Sequence, residues 1–242
     1  MRRSFEPDQI TSQPVTLLGA APLPAGLLEL ALTAAPRLVA VDGGADTALA
    51  AGRRPERVIG DLDSISDAAR RRLADRLEHV PAQDDTDLDK ALDRVTAPLI
   101  LGAGFAGGRL DHTLAAMSAL VRRADRRVIL LAEGQLCFVI APDLRLKLAP
   151  GSLISLFPMA PVQCASRGLH WPTDGLRLAP GGMIGTSNRV ADPVPSGGVW
   201  LAPDGPGLLC LLPLAALEAA MAGLNAAPNW PPSAGPDAAL GL

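Results

Sequence analysis

The stretch "RVIGDLDSIS", residues 57–66, decides how this chain is read. A short apolar run ends at Gly60, and Asp61, Asp63 and Ser64 follow at once. Carboxylates this close repel each other, and neither can help to build a core. A solvated turn is one reading, because Asp and Ser cap turns and helices. The other is a buried strand that stops at a charged crevice. The surrounding sequence has to discriminate.

Outward from this stretch, the first 140 residues alternate short apolar runs with helix-like segments. "PVTLLGA", "PRLVAVD", "ERVIGD", "PLILGAG" and "RRVILLAE" read as strands buried on both faces. "AGLLELALTAA", "GADTALAAG", "SDAARRRLADRLE", "TDLDKALDRV" and "LDHTLAAMSALVRRA" have helical spacing. Leu88, Ala91, Leu92 and Val95, for example, fall at i, i+3, i+4 and i+7. Such alternation predicts an α/β domain, a parallel sheet covered on both faces. After residue 140 short alternating runs are cut by Pro and Gly, which predicts a small antiparallel β-sandwich or barrel. The expected domains are residues 1–142, 143–217 and a mobile tail from 218 to 242, although "LLPLAALEAAMAGL" has the spacing for a terminal helix. A β unit of about 75 residues is small for an independent core, so packing on the first domain or on a second subunit would support it.

Composition excludes several classes. At 48% hydrophobic and 19% charged residues, the chain can bury a core. Its net charge of −3 and 3% aromatics make no case for nucleic acid. No apolar run is long enough to span a membrane, and the basic N-terminus lacks an apolar segment behind it, so no signal peptide is expected. Cys137, Cys164 and Cys210 have no metal-ligand spacing and read as reduced core residues of a cytoplasmic protein.

The acids are distributed unevenly: 13 of 25 fall between Asp42 and Asp93. Asp75 and Glu78 are assigned to a solvated helix face. Asp42 follows a strand and precedes two glycines, Asp61 and Asp63 follow another strand, and Asp84, Asp85 and Asp87 precede or open a helix. In an open parallel sheet ligands bind at the carboxyl ends of the strands, so three acidic groups would converge on one crevice. An oxygen-only ligand set suits Mg²⁺, and residues i and i+2 of an extended segment point the same way. Asp84 or Asp85 serves equally well as a helix N-cap, and Asp87 as a first-turn acid facing the helix dipole. Lys90 either pairs with Asp87 at i, i+3 or reaches a phosphate.

"PLILGAGFAGGRLDHTL" is the second informative stretch. Gly102, Gly104 and Gly107 spell GxGxxG after a strand and before a helix, a weak dinucleotide signal. Glu133 comes late for the acid that should hold a ribose. Arg109, Asp111 and His112 follow instead and suit phosphoryl transfer: forked donors, a carboxylate acceptor, and an imidazole. His112 reads as a structural partner of the acids rather than as a base.

Taken together, "DGGA" at 42–45, "GDLDS" at 60–64, "QDDTDLDKAL" at 83–92, "GGRLDH" at 107–112 and "GTSN" at 185–188 resemble the thiamine pyrophosphokinase (thiamine diphosphokinase) family over about residues 15–212. The resemblance implies an α/β catalytic domain followed by a β-sandwich, and a homodimer binding thiamine near the subunit interface. It implies transfer of the β,γ-pyrophosphate of ATP to the thiamine hydroxyl, releasing AMP. Asp42, Asp61, Asp63, Asp84 and Asp87 would then hold Mg²⁺ and position ATP, with Asp61, Asp63 and Asp84 as metal ligands. Ser64, Thr86, Lys90, Arg109, Asp111 and His112 would line the phosphates. Ser187 and Asn188 would hydrogen-bond the thiamine pyrimidine, and Trp171 would offer it a flat face, unless Trp171 is a core residue. The family often carries Asn a turn after "DH", where this chain has Ala115 and Ala116. Two rival readings are a pyrophosphokinase for another heteroaromatic alcohol, such as a hydroxymethylpterin, and a non-catalytic nucleotide-binding regulator.

Overall fold

The computed structural model describes residues 11–81 and 86–232. The chain divides into two compact units, Met1–Ala119 with Leu130–Glu133, and Leu120–Ile129 with Gly134–Leu242. The first half of the chain runs β1 (Val15–Leu18), α1 (Leu27–Ala34), β2 (Arg37–Val41), α2 (Gly44–Ala50), β3 (Arg57–Gly60), α3 (Asp67–Arg72), β4 (Leu77–His79), α4 (Asp87–Arg94), β5 (Ile100–Ala103), α5 (Leu110–Arg122) and β6 (Val128–Leu131). Strands β5-β1-β2-β3-β4 are neighbours in that order, and each adjacent pair is parallel. Leu17, Leu18, Ala40, Val58, Ile59 and Leu101 are buried, as short apolar runs in a doubly covered sheet must be. Parallel pairing brings the carboxyl ends of β1, β2, β3 and β5 to one edge, so the loops after Leu18, Val41, Gly60 and Ala103 meet there.

Two expectations fail in this unit. The helix expected over "SDAARRRLADRLE" ends at Arg72, a turn follows, and residues 77–79 form β4. Glu78 is therefore not on a solvated helix face. It pairs with Arg57 and Arg94, and its side chain is 15% exposed. Glu78 stands opposite Ile59 in the parallel register, and that placement brings both arginines within reach. Three residues are too few to show strand periodicity, which is why β4 was not legible. Asp75 does stay at the surface, in the turn, paired with Arg54.

The second half contains β7 (Gln135–Val139), β8 (Leu144–Leu146), β9 (Leu153–Pro158), β10 (Val162–Arg167), β11 (Arg177–Leu178), β12 (Gly185–Arg189), β13 (Val199–Pro203), β14 (Leu208–Pro213) and α6 (Leu217–Ala226). Here β12-β9-β14-β7 and β11-β10-β13-β8 are two antiparallel series. Alternate residues are buried on β9, β10 and β13, the pattern of sheets with one face on a core. Antiparallel pairing begins at β7 with β14, and the second compact unit runs on from Gly134. The tail expected from 218 begins instead as α6, with Leu217, Ala220, Gly223 and Leu224 buried. Beyond α6 the Trp230 indole still donates to the Ile140 carbonyl at 2.9 Å.

All three cysteines are free and buried. Burial pushes the Cys137 thiol up to about 12 and the Cys164 thiol up to about 11, and raises Cys210 as well. Among the described residues no helix is long and apolar enough to cross a membrane.

Candidate active site

A cleft of about 810 Å³ opens at the carboxyl edge of the parallel sheet, within the range of small-molecule sites, roughly 300–1,000 Å³. Two glycine-containing loops form one side. A Cβ on Gly19 would lie 2.4 Å from the Gly104 carbonyl oxygen, and one on Gly104 would lie 2.5 Å from that of Gly19. Only glycines let these backbones approach so closely, and the Gly19 and Ala21 amides donate to the Ala103 and Gly104 carbonyls.

Asp42, Asp61 and Asp63 line the same cleft. Asp42 has φ 48, a left-handed conformation uncommon for a residue with a side chain. Its amide donates to the Ile59 carbonyl, which seats the carboxylate beside the start of the "GDLDS" loop. One Asp42 oxygen, Oδ2, accepts from Ser64 Oγ at 2.7 Å, and Ser64 Oγ accepts in turn from the Gly43 amide at 3.1 Å. The other, Oδ1, is buried with no partner among the described residues. Burial raises the Asp42 carboxyl above its ordinary range, Ser64 opposes this, and the neighbouring charges of Asp87, Asp61 and Asp63 add to it.

Asp42, Asp61 and Asp63 each bring a carboxylate oxygen within 4.8 Å of the others. A buried, orphaned carboxylate oxygen in such a group is costly unless a cation meets it. Three oxygen donors with room for further ligands suit a hard divalent cation. The residues present therefore fit a metal, held by Asp42, Asp61 and Asp63. Asp84, the third ligand expected from sequence, lies outside the described residues.

Lys90 lines the cleft and is paired with two of the acids. Its side chain is 6% exposed, with Nζ 3.0 Å from Asp87 Oδ1 and 3.3 Å from Asp61 Oδ2. Burial opposes the charge on Lys90, but the two carboxylates outweigh it and raise its affinity for the proton. Burial likewise works to raise Asp61, while the Asp63 amide and Lys90 outweigh it and hold the carboxyl below its ordinary value. The N-cap of α4 is Thr86, not Asp84 or Asp85. Its hydroxyl accepts from the Asp89 amide and donates to Asp89 Oδ2 at 2.6 Å.

Arg109 and His112 line the cleft as well, with Ala115 and Ala116 one turn further along α5. Asp111 pairs with Arg109, Nε to Oδ1 at 3.1 Å, and both side chains are exposed. Each favours the charged form of the other: Arg109 is raised and Asp111 lowered by their hydrogen bond.

Trp171, Ser187 and Asn188 lie in the second unit. Trp171 is 51% exposed and so is not a core residue. Arg189 lies over its ring at 5.4 Å, and His170 meets it edge-on at 4.4 Å. Asn188 is 4% exposed. Its Oδ1 accepts from the Trp171 and Arg189 amides, and its Nδ2 donates to the Trp171 carbonyl. Asn188 thus holds Trp171 in place. The register between β12 and β9 shifts between Gly185 and Asn188. Inside that bulge Ser187 has φ 60, its side chain is exposed, and its amide is held by Ser155 Oγ at 3.0 Å.

A cation-sized group of carboxylates at a parallel-sheet edge, followed in the chain by an antiparallel unit with an exposed aromatic platform, defines the class of protein. Comparison with known proteins narrows it. Residues 28–131 match the model for the thiamin pyrophosphokinase catalytic domain, and residues 141–195 that for the thiamin pyrophosphokinase vitamin B1 binding domain. Thiamine pyrophosphokinase 1 of Arabidopsis thaliana is 30% identical over 163 residues, covering 57% of this chain and 60% of the relative. A thiamine pyrophosphokinase of Bacillus subtilis is 40% identical over 91 residues, 35% of this chain and 42% of the relative. The solved thiamin pyrophosphokinase of Geobacillus thermodenitrificans superimposes with a TM-score of 0.66 at 25% identity, covering 83% of this chain and 96% of that one. The chain belongs to the thiamin pyrophosphokinase family, and its match spans about 60% of the length of the plant relative.

Proposed function

We propose that the chain is a thiamine diphosphokinase, transferring the β,γ-pyrophosphate of ATP to the hydroxyl of thiamine and releasing AMP. The observation that carries this reading is the convergence of Asp42, Asp61 and Asp63, with a buried Asp42 oxygen unpaired among the described residues, in the lining of a cleft of about 810 Å³. Mg²⁺, as the cation bound there, would neutralise phosphate charge. Arg109 would brace phosphate oxygens with its forked donors, giving up its exposed pairing with Asp111. Lys90 would balance Asp61 and Asp87 rather than touch phosphate, and Ser64 would tie the Asp42 and Asp61–Asp63 loops together. The thiamine hydroxyl oxygen would form a bond to the β-phosphorus as the bond to the α-phosphate oxygen breaks, that electron pair leaving with AMP. The hydroxyl proton would pass to a carboxylate. Asp63, which lines the cleft, is favoured over Asp111, which does not line it. Trp171 would offer thiamine its exposed face, oriented by Asn188.

The protein in this reading is a cytoplasmic homodimer. Its buried free thiols accord with a reducing compartment, and the exposed platform accords with a site completed by a second copy. Incubation with ATP, Mg²⁺ and thiamine should yield AMP and thiamine diphosphate in equal amounts. A folded protein that yields neither would overturn the activity. Mixing inactive Asp63→Asn and Asn188→Ala chains should restore activity if each site draws on two subunits. Absence of complementation would return each site to one chain.

A further inference from the structure

Asp63 enters the cleft from a strained turn, and the structure shows what grips that turn. Leu62 lies between the two acids with φ 66, where a residue with a side chain is disfavoured. Its side chain is 5% exposed and packs in one cluster with Val58, Ile65, Ala69 and Leu73, so the turn is pinned from below. The peptide from Leu62 to Asp63 is then held at both polar ends. Its N–H, on Asp63, donates to Asp61 Oδ1 at 3.3 Å, and its C=O, on Leu62, accepts from Arg70 Nη2.

Arg70 has a firm base. It sits on α3, whose N-cap Ser66 accepts from the Ala69 amide. Ser66 is fixed in turn by Asp46 of α2, which receives both its amide, at 2.9 Å, and its hydroxyl. Asp42 lies two residues before α2, next to its N-cap Gly43. The two loops that supply the three carboxylates are thus braced through one chain of contacts: Asp46, Ser66, α3 and Arg70.

We propose that Arg70 is a positioning residue for the carboxylate group. Its guanidinium clamps the Leu62–Asp63 peptide so that Asp61 and Asp63 are presented to a divalent cation in fixed geometry, without touching cation or substrate. The inference rests on the reading of these acids as a cation site. Strained backbone persists at functional sites only where the surroundings over-determine it, and outer contacts of metal ligands typically govern affinity by about 10–100-fold.

The sign of the effect separates the clamp from simple electrostatics. A positive charge near the site repels a cation, so removing that charge alone should tighten cation binding. Removing the clamp should weaken it. Mn²⁺ binding to the full chain without nucleotide, followed by the EPR signal of the free ion, reads this directly. Arg70→Met keeps the apolar stem and removes the donors. Its Mn²⁺ Kd should rise about tenfold, with a higher KM for Mg·ATP. Arg70→Lys, which restores a donor to a single carbonyl, should recover most of the affinity. Arg71→Met, the same change one residue along α3, should leave it unchanged. Unchanged or tighter Mn²⁺ binding by folded Arg70→Met would overturn the clamp, as would equal losses in Arg70→Met and Arg71→Met or no rescue by Arg70→Lys. A wild-type chain that binds no Mn²⁺ would overturn the cation reading, and the clamp with it.

Discussion

The carboxylate cleft and the Trp171 platform are both finished by polar side chains near strand ends, yet they are finished in opposite ways. In the cleft an oxygen of Asp42 is buried without a partner among the described residues, and Asp42 and Leu62 both hold left-handed backbone. On the platform the Asn188 amide is closed on the backbone of Trp171 and Arg189, and Arg189 covers one face of the ring. The contrast teaches what each region lacks. A site for a highly charged ligand leaves charge unbalanced until an outside group supplies it. In the proposed role, a platform for an aromatic ring would work by shape, which accords with the hydrogen bonds that Asn188 already makes.

The sharpest way to break this contrast is Asp63→Asn. Asp63 is exposed, so the fold should survive while turnover of ATP and thiamine falls about 10²–10³-fold, the scale of a lost charge-stabilising group. Circular dichroism and coupled AMP release measure the two halves of this statement, and near-normal turnover would remove Asp63 from the site.

Arg109→Lys should come next, with a loss of roughly 10–10²-fold, because an ammonium cannot reproduce two parallel donors. Steady-state kinetics decide it. A loss below about threefold would leave Arg109 as a partner of Asp111 alone.

On the platform, Asn188→Ala should act through Trp171. The KM for thiamine is expected to rise about tenfold, equivalent to about 1.4 kcal/mol, with kcat largely kept. Backbone groups left unpaired should also cost about 1–3 kcal/mol of stability, visible in chemical unfolding. Trp171 fluorescence should report a less constrained ring, and an unchanged spectrum would detach Asn188 from the platform.

A smaller effect tests the charge balance within the cleft. Lys90→Met should destabilise the metal-free protein by roughly 1 kcal/mol, since Asp61 and Asp87 remain partly solvated. Added Mg²⁺ should recover part of that loss in thermal unfolding. The sign with pH follows from Asp61, whose carboxyl is held below its ordinary 3.8. Its contribution is present above that value and is lost as pH falls through the folded one. The variant should lose less stability on acidification than the wild type.

The smallest effect concerns the thiols. Native protein at pH 8 should resist alkylation at Cys137, Cys164 and Cys210, and unfolded protein should take up three groups, read by mass. The stability linked to Cys137 and Cys164 is full below their ordinary 9.0 and declines as pH rises toward about 12 and about 11 respectively. Labelling of the native state at pH 8 would contradict the burial.

Much of this molecule is written locally. Buried parallel strands are short apolar runs, and the acids directly after them mark the sheet edge, so β1, β2, β3 and β5 and the convergence of Asp42, Asp61 and Asp63 could be read from one dimension. The partners could not. Ser64 meets Asp42 across 22 positions, Arg57 meets Glu78 across 21, and Asn188 meets Trp171 across 17. Periodicity reports which face of an element is apolar, and capping residues report where it stops. Neither reports which side chain lies opposite once strands are ordered β5-β1-β2-β3-β4. Lys90 therefore read as a partner of Asp87 or a phosphate ligand, and its second carboxylate, Asp61, lies 29 positions away and gave no signal. Asn188 read as a substrate contact, and its hydrogen bonds to the Trp171 backbone were not legible. Arg70 carried no signal at all, because its partner is a carbonyl, a group every residue has. Residue type and spacing determined the sheet, the acids and the family. Strand order and the strained turns at Asp42 and Leu62 decided which of those charges are balanced and which one is left open, because pairing of buried charge depends on distance in space and not along the chain.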